Sequence, residues 1–553
     1  MVGKPQVSIT KLVHCAIGVV LGSVVLVGPA VASGGTQQDD AVFTDRSGER
    51  GKHQFPVESA SVASIRTAID DGDVTCRQVV RETLRRVHSY DDRGPQLRAV
   101  LTVNDEAMRR ASSIDRSYRR DGFVGPLHCV PVLLKDNFDT GDMPTTAASA
   151  ALRDAQPPDD ATAVARLRDA GGVMIGKANL HEFAVSGTTA SSLGGQTRNP
   201  YDLTRTPGGS SGGTGAGVAA GFAVLGTGTD TVNSIRSPSS ANSLVGLRPT
   251  KGLISGDGVV PVSSTQDAAG PIGRTVADVA AGLQAMAGHD PLDASTDVIE
   301  GQTLPDYVDS LDKAGLAGTR VGVLTDFLGE GTPYAPVEAR FEAAKADLVA
   351  QGATTVDVEL GITVEELVDD YDVQRFEFEP LLESYLATTD ASKQSLEQIR
   401  ASQLPHPTIR EFLALADRTG DGRHEAEYAA RLGRIAELKQ ALADLMDKHD
   451  LDLLFYPHQS RLVEPVATQE QRDRNGILAS LTGYPALTVP GGFSPPTTDA
   501  PSGVPVGIEF LARPFEEPLL LAAGHAYEQA TEHRELPPTT PPLRRATSTT
   551  ATG

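Results

Sequence analysis

Cysteine is almost absent from this chain: 553 residues carry three, Cys15, Cys76 and Cys129. No C-x-x-C pair and no Cys/His ligand spacing occurs, which argues against a structural zinc site. Positive charge is also short. The 49 lysines and arginines face 72 acids, for a net charge of −23. Such a surface repels phosphate backbones and argues against a nucleic-acid partner; it favours solubility and says little about fold. Long apolar runs are missing beyond the first 32 residues, and no internal repeat is present. What is present is a chain 39% hydrophobic, enough for a globular bulk.

The first 32 residues read as an export signal. Lys4 and Lys11 supply positive charge, residues 12–27 are apolar and free of acids, and Ala30-Val31-Ala32 gives an A-x-A cleavage site before Ser33. Residues 12–32 are also long enough for an uncleaved membrane anchor, though Gly18, Gly22 and Pro29 weaken a continuous spanning helix. Cys15 opens the apolar run instead of ending it, which disfavours a lipoprotein. The expected location is extracellular or in the cell envelope, with no stable membrane insertion after cleavage. Export permits Cys76 and Cys129 to pair. Cys129 sits in an apolar run, however, and the plainer expectation is a buried free thiol.

Residues 33–55 read as a loose linker, residues 56–535 as the folded domain and residues 536–553, with two Pro-Pro pairs, as a disordered tail. Helical periodicity begins at Ser61, and Thr75 is a plausible N-cap. Strands are expected at 101–103, 130–134, 173–175, 486–489 and 506–511. Helices are expected near 106–118, 161–170, 337–350, 425–446 and 519–531. Residues 186–217 are rich in Gly, Ser and Thr and have almost no periodic apolar face, with regular structure resuming at 218–225. Alternating strands and helices predict an α/β fold.

The stretch Gly208-Gly209-Ser210-Ser211-Gly212-Gly213-Thr214-Gly215-Ala216-Gly217 invites four readings. No Lys-Ser or Lys-Thr follows it, so it is no phosphate loop. Gly215-x-Gly217-x-x-Ala220 fits a dinucleotide fingerprint, but no buried strand precedes it. Gly208-x-Ser210-x-Gly212 fits a nucleophile elbow, which also needs a preceding strand and a downstream histidine such as His458 or His525. A flexible linker is disfavoured, since structured apolar sequence lies close on both sides.

Its surroundings decide the matter. Upstream lies Pro131-Val132-Leu133-Leu134-Lys135-Asp136, and downstream Gly228-Thr229-Asp230-Thr231-Val232-Asn233-Ser234-Ile235-Arg236-Ser237-Pro238. Together with Gly176-Lys177-Ala178-Asn179, Gly195 to Pro200, Gly246 to Thr250 and Thr482 to Pro490, this ordered set resembles the amidase signature family from about residue 60 to about 535. The resemblance implies a single large α/β domain, a mixed β-sheet core flanked by α-helices. It implies hydrolysis of a carboxylic amide to a carboxylate and ammonia or an amine, with no metal and no organic cofactor.

Site residues follow by position. Ser234 would be the nucleophile, Ser210 the proton relay after a cis Gly209–Ser210 peptide, and Lys135 the general base, active only as the neutral amine. Ser211, Asp230 and Arg236 would support the triad. Backbone N–H groups of Thr231, Val232, Asn233 and Ser234 would form the oxyanion hole, and a backbone carbonyl near Ala184 would touch substrate. The commoner family pattern has Gly-Gly where this chain has Val232-Asn233. Those side chains narrow the pocket, which bears on substrate size more than on reaction type.

The expected partner is a small-molecule amide; oligomeric state is not legible. Alternatives are an esterase or peptide-amide hydrolase, the glutaminase-type subunit of a tRNA-dependent amidotransferase, and an inactive binding protein. Tyr371, Phe376, Phe378 and Tyr385 either line an acyl pocket or form helix core, and their helical spacing favours core. Asp417-x-Thr419-x-Asp421-Gly422 resembles a calcium loop but puts Tyr428 where the closing Glu belongs.

Overall fold

Pro131–Lys135 is buried along its whole length, as a central strand covered on both faces must be. The computed structural model describes residues 55–543 except 313, 314 and 469. The export signal, nearly all of the linker and residues 544–553 therefore lie outside the described residues. The strands are β1 (Val100–Val103), β2 (Pro131–Lys135), β3 (Val173–Ala178), β4 (Ala190–Ser191), β5 (Gly195–Gln196), β6 (Leu225–Asp230), β7 (Val245–Arg248), β8 (Ala268–Gly273), β9 (Arg320–Leu324), β10 (Thr354–Val358), β11 (Leu453–Pro457), β12 (Ala486–Phe493) and β13 (Pro505–Leu511). Eleven join one sheet in the order β1-β3-β2-β6-β8-β7-β12-β13-β11-β9-β10, and β4 pairs with β5.

The sheet is mixed. β3, β2 and β6 run parallel, so Lys135 and Asp230 end adjacent strands at the same edge. The flanking pairs β1–β3 and β6–β8 are antiparallel. Helices cover both faces, so this is the single α/β domain with a mixed sheet that the sequence implied. Among the described residues no helix is long and apolar enough to cross a membrane.

Alternation sorts the sheet into faces. Val132 and Leu134 enter the large core with the helices 76–90 and 276–286, whereas Leu133 enters a smaller core with Val218, Ala219 and Ile235. The period of two therefore turns Lys135 toward the same side as Leu133, under the helix Gly212–Ala219. That helix is buried at every position and presses close to the sheet. A Cβ at Gly213 would lie 2.2 Å from Asn179 O, and one at Gly226 would lie 2.3 Å from Thr214 Cγ2.

Three expectations change. Regular structure resumes at Gly212, inside the glycine-rich stretch, not at Val218. A helix buried on all sides, built of small residues, has no apolar stripe to betray it. Residues 536–543 are not a loose tail: Arg86 Nη2 donates to Thr540 O at 2.7 Å, and Tyr90 Oη donates to Pro541 O at 2.6 Å. Cys129 is buried but not free. It is bonded to Cys76, with Cα atoms 5.4 Å apart, and ties the helix Cys76–Tyr90 to the chain just before β2. Thr75 caps that helix as expected, with Gln78 completing a capping box.

Candidate active site

Two lysines are fully buried near the ends of the parallel strands, Lys135 and Lys177. They are not equivalent. Lys177 pairs with Asp136 at 3.4 Å and donates to Pro144 O and Thr145 Oγ1. Lys135 has no carboxylate partner. Its Nζ lies 2.8 Å from Ser210 Oγ, 2.7 Å from Thr229 Oγ1 and 3.4 Å from Thr229 O. Burial strips water from its ammonium and pulls the pKa from 10.5 down to about 7, although Asp230 and Asp267 pull it back up. The neutral amine suits these partners. Its two protons satisfy Thr229, and its lone pair is left for the Ser210 hydroxyl.

Ser210 follows a cis peptide with Gly209, as the family resemblance implied. Its carbonyl accepts from His181 N at 2.9 Å, and Ser211 N donates to Ser234 O at 3.2 Å. The segments carrying Ser210 and Ser234 are thus fastened side by side. Lys135 and Ser210 are wholly buried, and Ser234 is 5% exposed. The Ser234 hydroxyl has no hydrogen-bond partner among the described residues, so of the three it is the group open to an incoming ligand.

Residues 231–234 are arranged with their carbonyls engaged. Thr231 O accepts from Gln266 Nε2 at 3.2 Å, and Val232 O from Ser480 Oγ at 2.7 Å and Arg236 Nη2 at 3.0 Å. Asn233 O accepts from Ser237 N at 2.7 Å, and Ser234 O from Ser211 N. None of the four N–H groups meets an acceptor among the described residues. Donors held ready beside a serine hydroxyl are what a developing oxyanion requires. Neither Val232 nor Asn233 takes a positive φ, so this backbone does not need glycine there. Ala184 does take one, at 61°, and is buried in an apolar cluster with Phe183.

Asp230 anchors the base of the loop. Its carboxylate accepts from Arg236 Nε and Nη2, both at 3.0 Å, from Arg248 Nη1 at 3.2 Å and from Ile235 N at 3.0 Å. Burial would push its pKa up, but the two guanidinium groups hold it well below the usual carboxylate range. Arg236 is shared with Glu509, which also accepts from Tyr456 Oη at 2.7 Å and contacts His458 Nδ1 at 2.6 Å. The structure thus brings Asp230 and Arg236 together below the loop, and Ser211 N against Ser234 O.

Thr229, Asn137, Arg248, Gln266 and Glu509 went unassigned. Thr229 and Arg248 lie inside the quoted motif stretches. Glu509 was legible as a lone acid in an apolar strand. Asn137 and Gln266 carried no signal. The elbow reading is overturned: the Ser210 hydroxyl goes to a lysine, His458 is committed to Glu509, and His525 lies 3.8 Å from Glu528.

Phe376, Phe378 and Tyr385 are buried as helix core, with Tyr385 Oη donating to Asp139 at 2.7 Å. In the calcium-like stretch, Asp417 is paired with Arg400 and Asp421 with Arg423. His289, Asp297 and Glu300 are the group of described residues whose ligand atoms converge within 4.8 Å. None of them is hydrogen-bonded to Lys135, Ser210 or Ser234.

Comparison with known proteins places the fold in a family. The family model described as Amidase matches residues 78–521. One subunit of the glutamyl-tRNA(Gln) amidotransferase of Halorhodospira halophila is 36% identical over 496 residues, covering 86% of this chain and 98% of that protein. Among solved structures, the peptide amidase of Stenotrophomonas maltophilia superposes with a TM-score of 0.79 at 36% identity, over 87% of this chain and 99% of that one. The corresponding glutamyl-tRNA(Gln) amidotransferase chain of Thermotoga maritima gives 0.68 at 26% identity, over 87% and 98%.

Proposed function

The chain belongs to the amidase signature family and is a hydrolase of C–N amide bonds; from that premise we propose that it works through a Ser234–Ser210–Lys135 triad and an acyl-enzyme. One observation carries the assignment: a buried lysine with no carboxylate partner lies 2.8 Å from the Ser210 hydroxyl. Ser234 Oγ attacks the amide carbonyl carbon. Its proton passes to Ser210 Oγ, and the Ser210 proton passes to Lys135 Nζ. The oxyanion is received by the N–H groups of residues 231–234. As the C–N bond breaks, the leaving nitrogen takes the proton back along the same path. Water then enters by the same relay and releases the carboxylate.

The substrate side of this reading is a small-molecule amide. A peptide amide is the second reading, favoured by the solved neighbour described as a peptide amidase. We also place the protein outside the cytoplasm. The pattern of residues 1–32 and the Cys76–Cys129 bond both support that location.

The experiment is a panel of simple amides and peptide amides with wild type, Ser234→Ala and variants of His458 and His525. Wild type turns over at least one amide. Ser234→Ala loses on the order of 10³-fold or more in kcat, and the histidine variants that stay folded retain turnover. Retained turnover in Ser234→Ala, or its loss in a folded histidine variant, sinks the triad.

A further inference from the structure

Charged side chains around the site are hydrogen-bonded or ion-paired among the described residues, with one exception. Asp230 is held by Arg236 and Arg248. Glu509 is held by Arg236, Tyr456 and His458. Asp267 accepts from Thr231 Oγ1 at 2.6 Å and from the N–H groups of Val262 and Ser263. Glu182 accepts from Ser149 Oγ at 2.6 Å, Ser192 N at 2.7 Å and His406 N at 3.0 Å. The exception is Arg474. Its guanidinium makes no hydrogen bond and no ion pair among the described residues.

Arg474 is neither a stray surface group nor a core cation. Arg236 and Arg248 are wholly buried, whereas Arg474 keeps partial access to solvent. Its backbone is pinned on both sides. Asn475 N donates to His458 O at 2.8 Å, and Asn475 Nδ2 donates to Pro457 O at 2.7 Å and Phe327 O at 3.0 Å. Ser460 N donates to Asp473 O at 2.9 Å. The side chain is thus presented from a fixed base.

Its position leads to the triad in two contacts. A Cβ at Gly187 would lie 2.2 Å from Arg474 Nη1, so only a glycine lets the guanidinium lie against that backbone. A Cβ at Gly209 would lie 3.0 Å from the Gly187 carbonyl carbon, and Gly209 precedes Ser210. The charge also reaches His181: after burial and His406 it lowers that imidazole's pKa, and the backbone N–H of His181 donates to the Ser210 carbonyl. Burial brings the guanidinium pKa down to about 10, which leaves it cationic at neutral pH, and exposed Glu470 and buried Asp230 act on it only at a distance.

We propose that Arg474 binds a carboxylate carried by the substrate, so that the preferred substrates of the site are anionic amides: half-amides of dicarboxylic acids, or amides of acidic amino acids and peptides. The fork of a guanidinium matches a carboxylate with two parallel N–H···O bonds. A fixed, partly desolvated cation without a partner gains most from a ligand that supplies the missing charge. This deepens the amidase reading and rests on it for the chemistry at Ser234.

The test compares succinamate with butyramide, which share chain length and differ in a terminal carboxylate against a methyl. Wild type is expected to favour succinamate in kcat/KM. Arg474→Leu is expected to lower kcat/KM for succinamate about 10- to 100-fold more than for butyramide, mainly through KM. Arg474→Lys should recover part of that difference, because a point charge replaces the fork. Equal losses on both amides, or a wild type that favours butyramide, overturn the proposal and leave the amidase reading standing. Succinate binding by calorimetry separates the remaining case. If wild type hydrolyses neither amide, the amidase reading fails on these substrates. Succinate binding that weakens in Arg474→Leu then still supports the carboxylate site, and binding that is absent or unchanged overturns it.

Discussion

At the scale of single residues, the site turns on the protonation of Lys135. The amine is neutral in the fold at pH values above about 7, and a lysine in the unfolded chain stays protonated to about 10.5. Two consequences have opposite signs. The proposed relay needs the neutral amine, so kcat/KM for a simple amide should fall as pH drops through about 7, with a single-proton acid limb. Stability suffers from the same neutrality. Between about 7 and about 10.5 the unfolded state binds the extra proton, so folding there works against a proton affinity. Lys135→Met removes that penalty and nearly preserves volume. It should abolish turnover and raise the unfolding free energy at pH 7.5 by about 1–3 kcal/mol, read from urea titrations. An acid limb absent down to the pH of unfolding, or a folded and active Lys135→Met, would remove Lys135 as the base. Lys177 shows why sequence alone cannot tell such lysines apart. Both end short apolar runs, and only the fold reveals that Asp136 neutralises one and nothing neutralises the other.

At the scale of elements, what was legible depended on whether a signal was local. The Thr75 cap, the strand ending at Lys135 and the strands β12 and β13 announce themselves within a few residues. The helix Gly212–Ala219 does not, because its small residues are selected by close approach to Asn179 and Leu133 across the sheet, not by periodicity. The Cys76–Cys129 bond is invisible for the same reason. Two cysteines 53 residues apart reveal nothing of a Cα separation of 5.4 Å. The bond closes a loop that holds the helices 76–90 and 107–121 and β1, directly upstream of the strand that carries Lys135. A loop of 53 residues is worth about 4 kcal/mol in chain entropy. Protein collected from the culture medium should begin at Ser33 and show no reactive thiol. The Cys76→Ser, Cys129→Ser variant should lose about 2–4 kcal/mol in urea unfolding. A mature chain that retains residues 1–32 would remove the cleaved-signal reading, and an unchanged midpoint in the double variant would show that the bond carries no weight.

For the whole molecule, alternating strands and helices made the α/β class readable in the sequence, and the ordered set of short motifs made the family readable. The network that fixes the site was not, because its members come from distant strands. Asp230, Arg236, Arg248 and Glu509 meet only when β6, β7 and β13 lie in one sheet. That network and the other buried acids set the response of the fold to pH. Asp230 and Glu509 are held below the usual range against a burial penalty, chiefly by arginine, and their contribution is lost only in strong acid. Asp91, Asp139 and Asp278 go the other way. Burial pushes Asp91 up to about 7 and Asp139 and Asp278 up to about 6, beyond what their hydrogen bonds pull back. Between about pH 4 and these values the folded state binds protons that the unfolded state has released, so stability falls as pH rises through this window. Above it, Lys135 contributes a slope of the opposite sign. Burial also lowers the pKa values of His128, His181, His406, His458 and His533, which adds a rise in stability with pH below about 6.5, so the carboxyl contribution is read as the difference between wild type and a carboxyl variant. From pH 5.5 to 7.5 the unfolding free energy of Asp278→Asn should change more favourably than that of wild type, by roughly 1 kcal/mol, since a neutral amide keeps one acceptor for Val62 N and has no proton to exchange. A pH dependence untouched by Asp278→Asn would mean that this carboxyl is ionised in the fold.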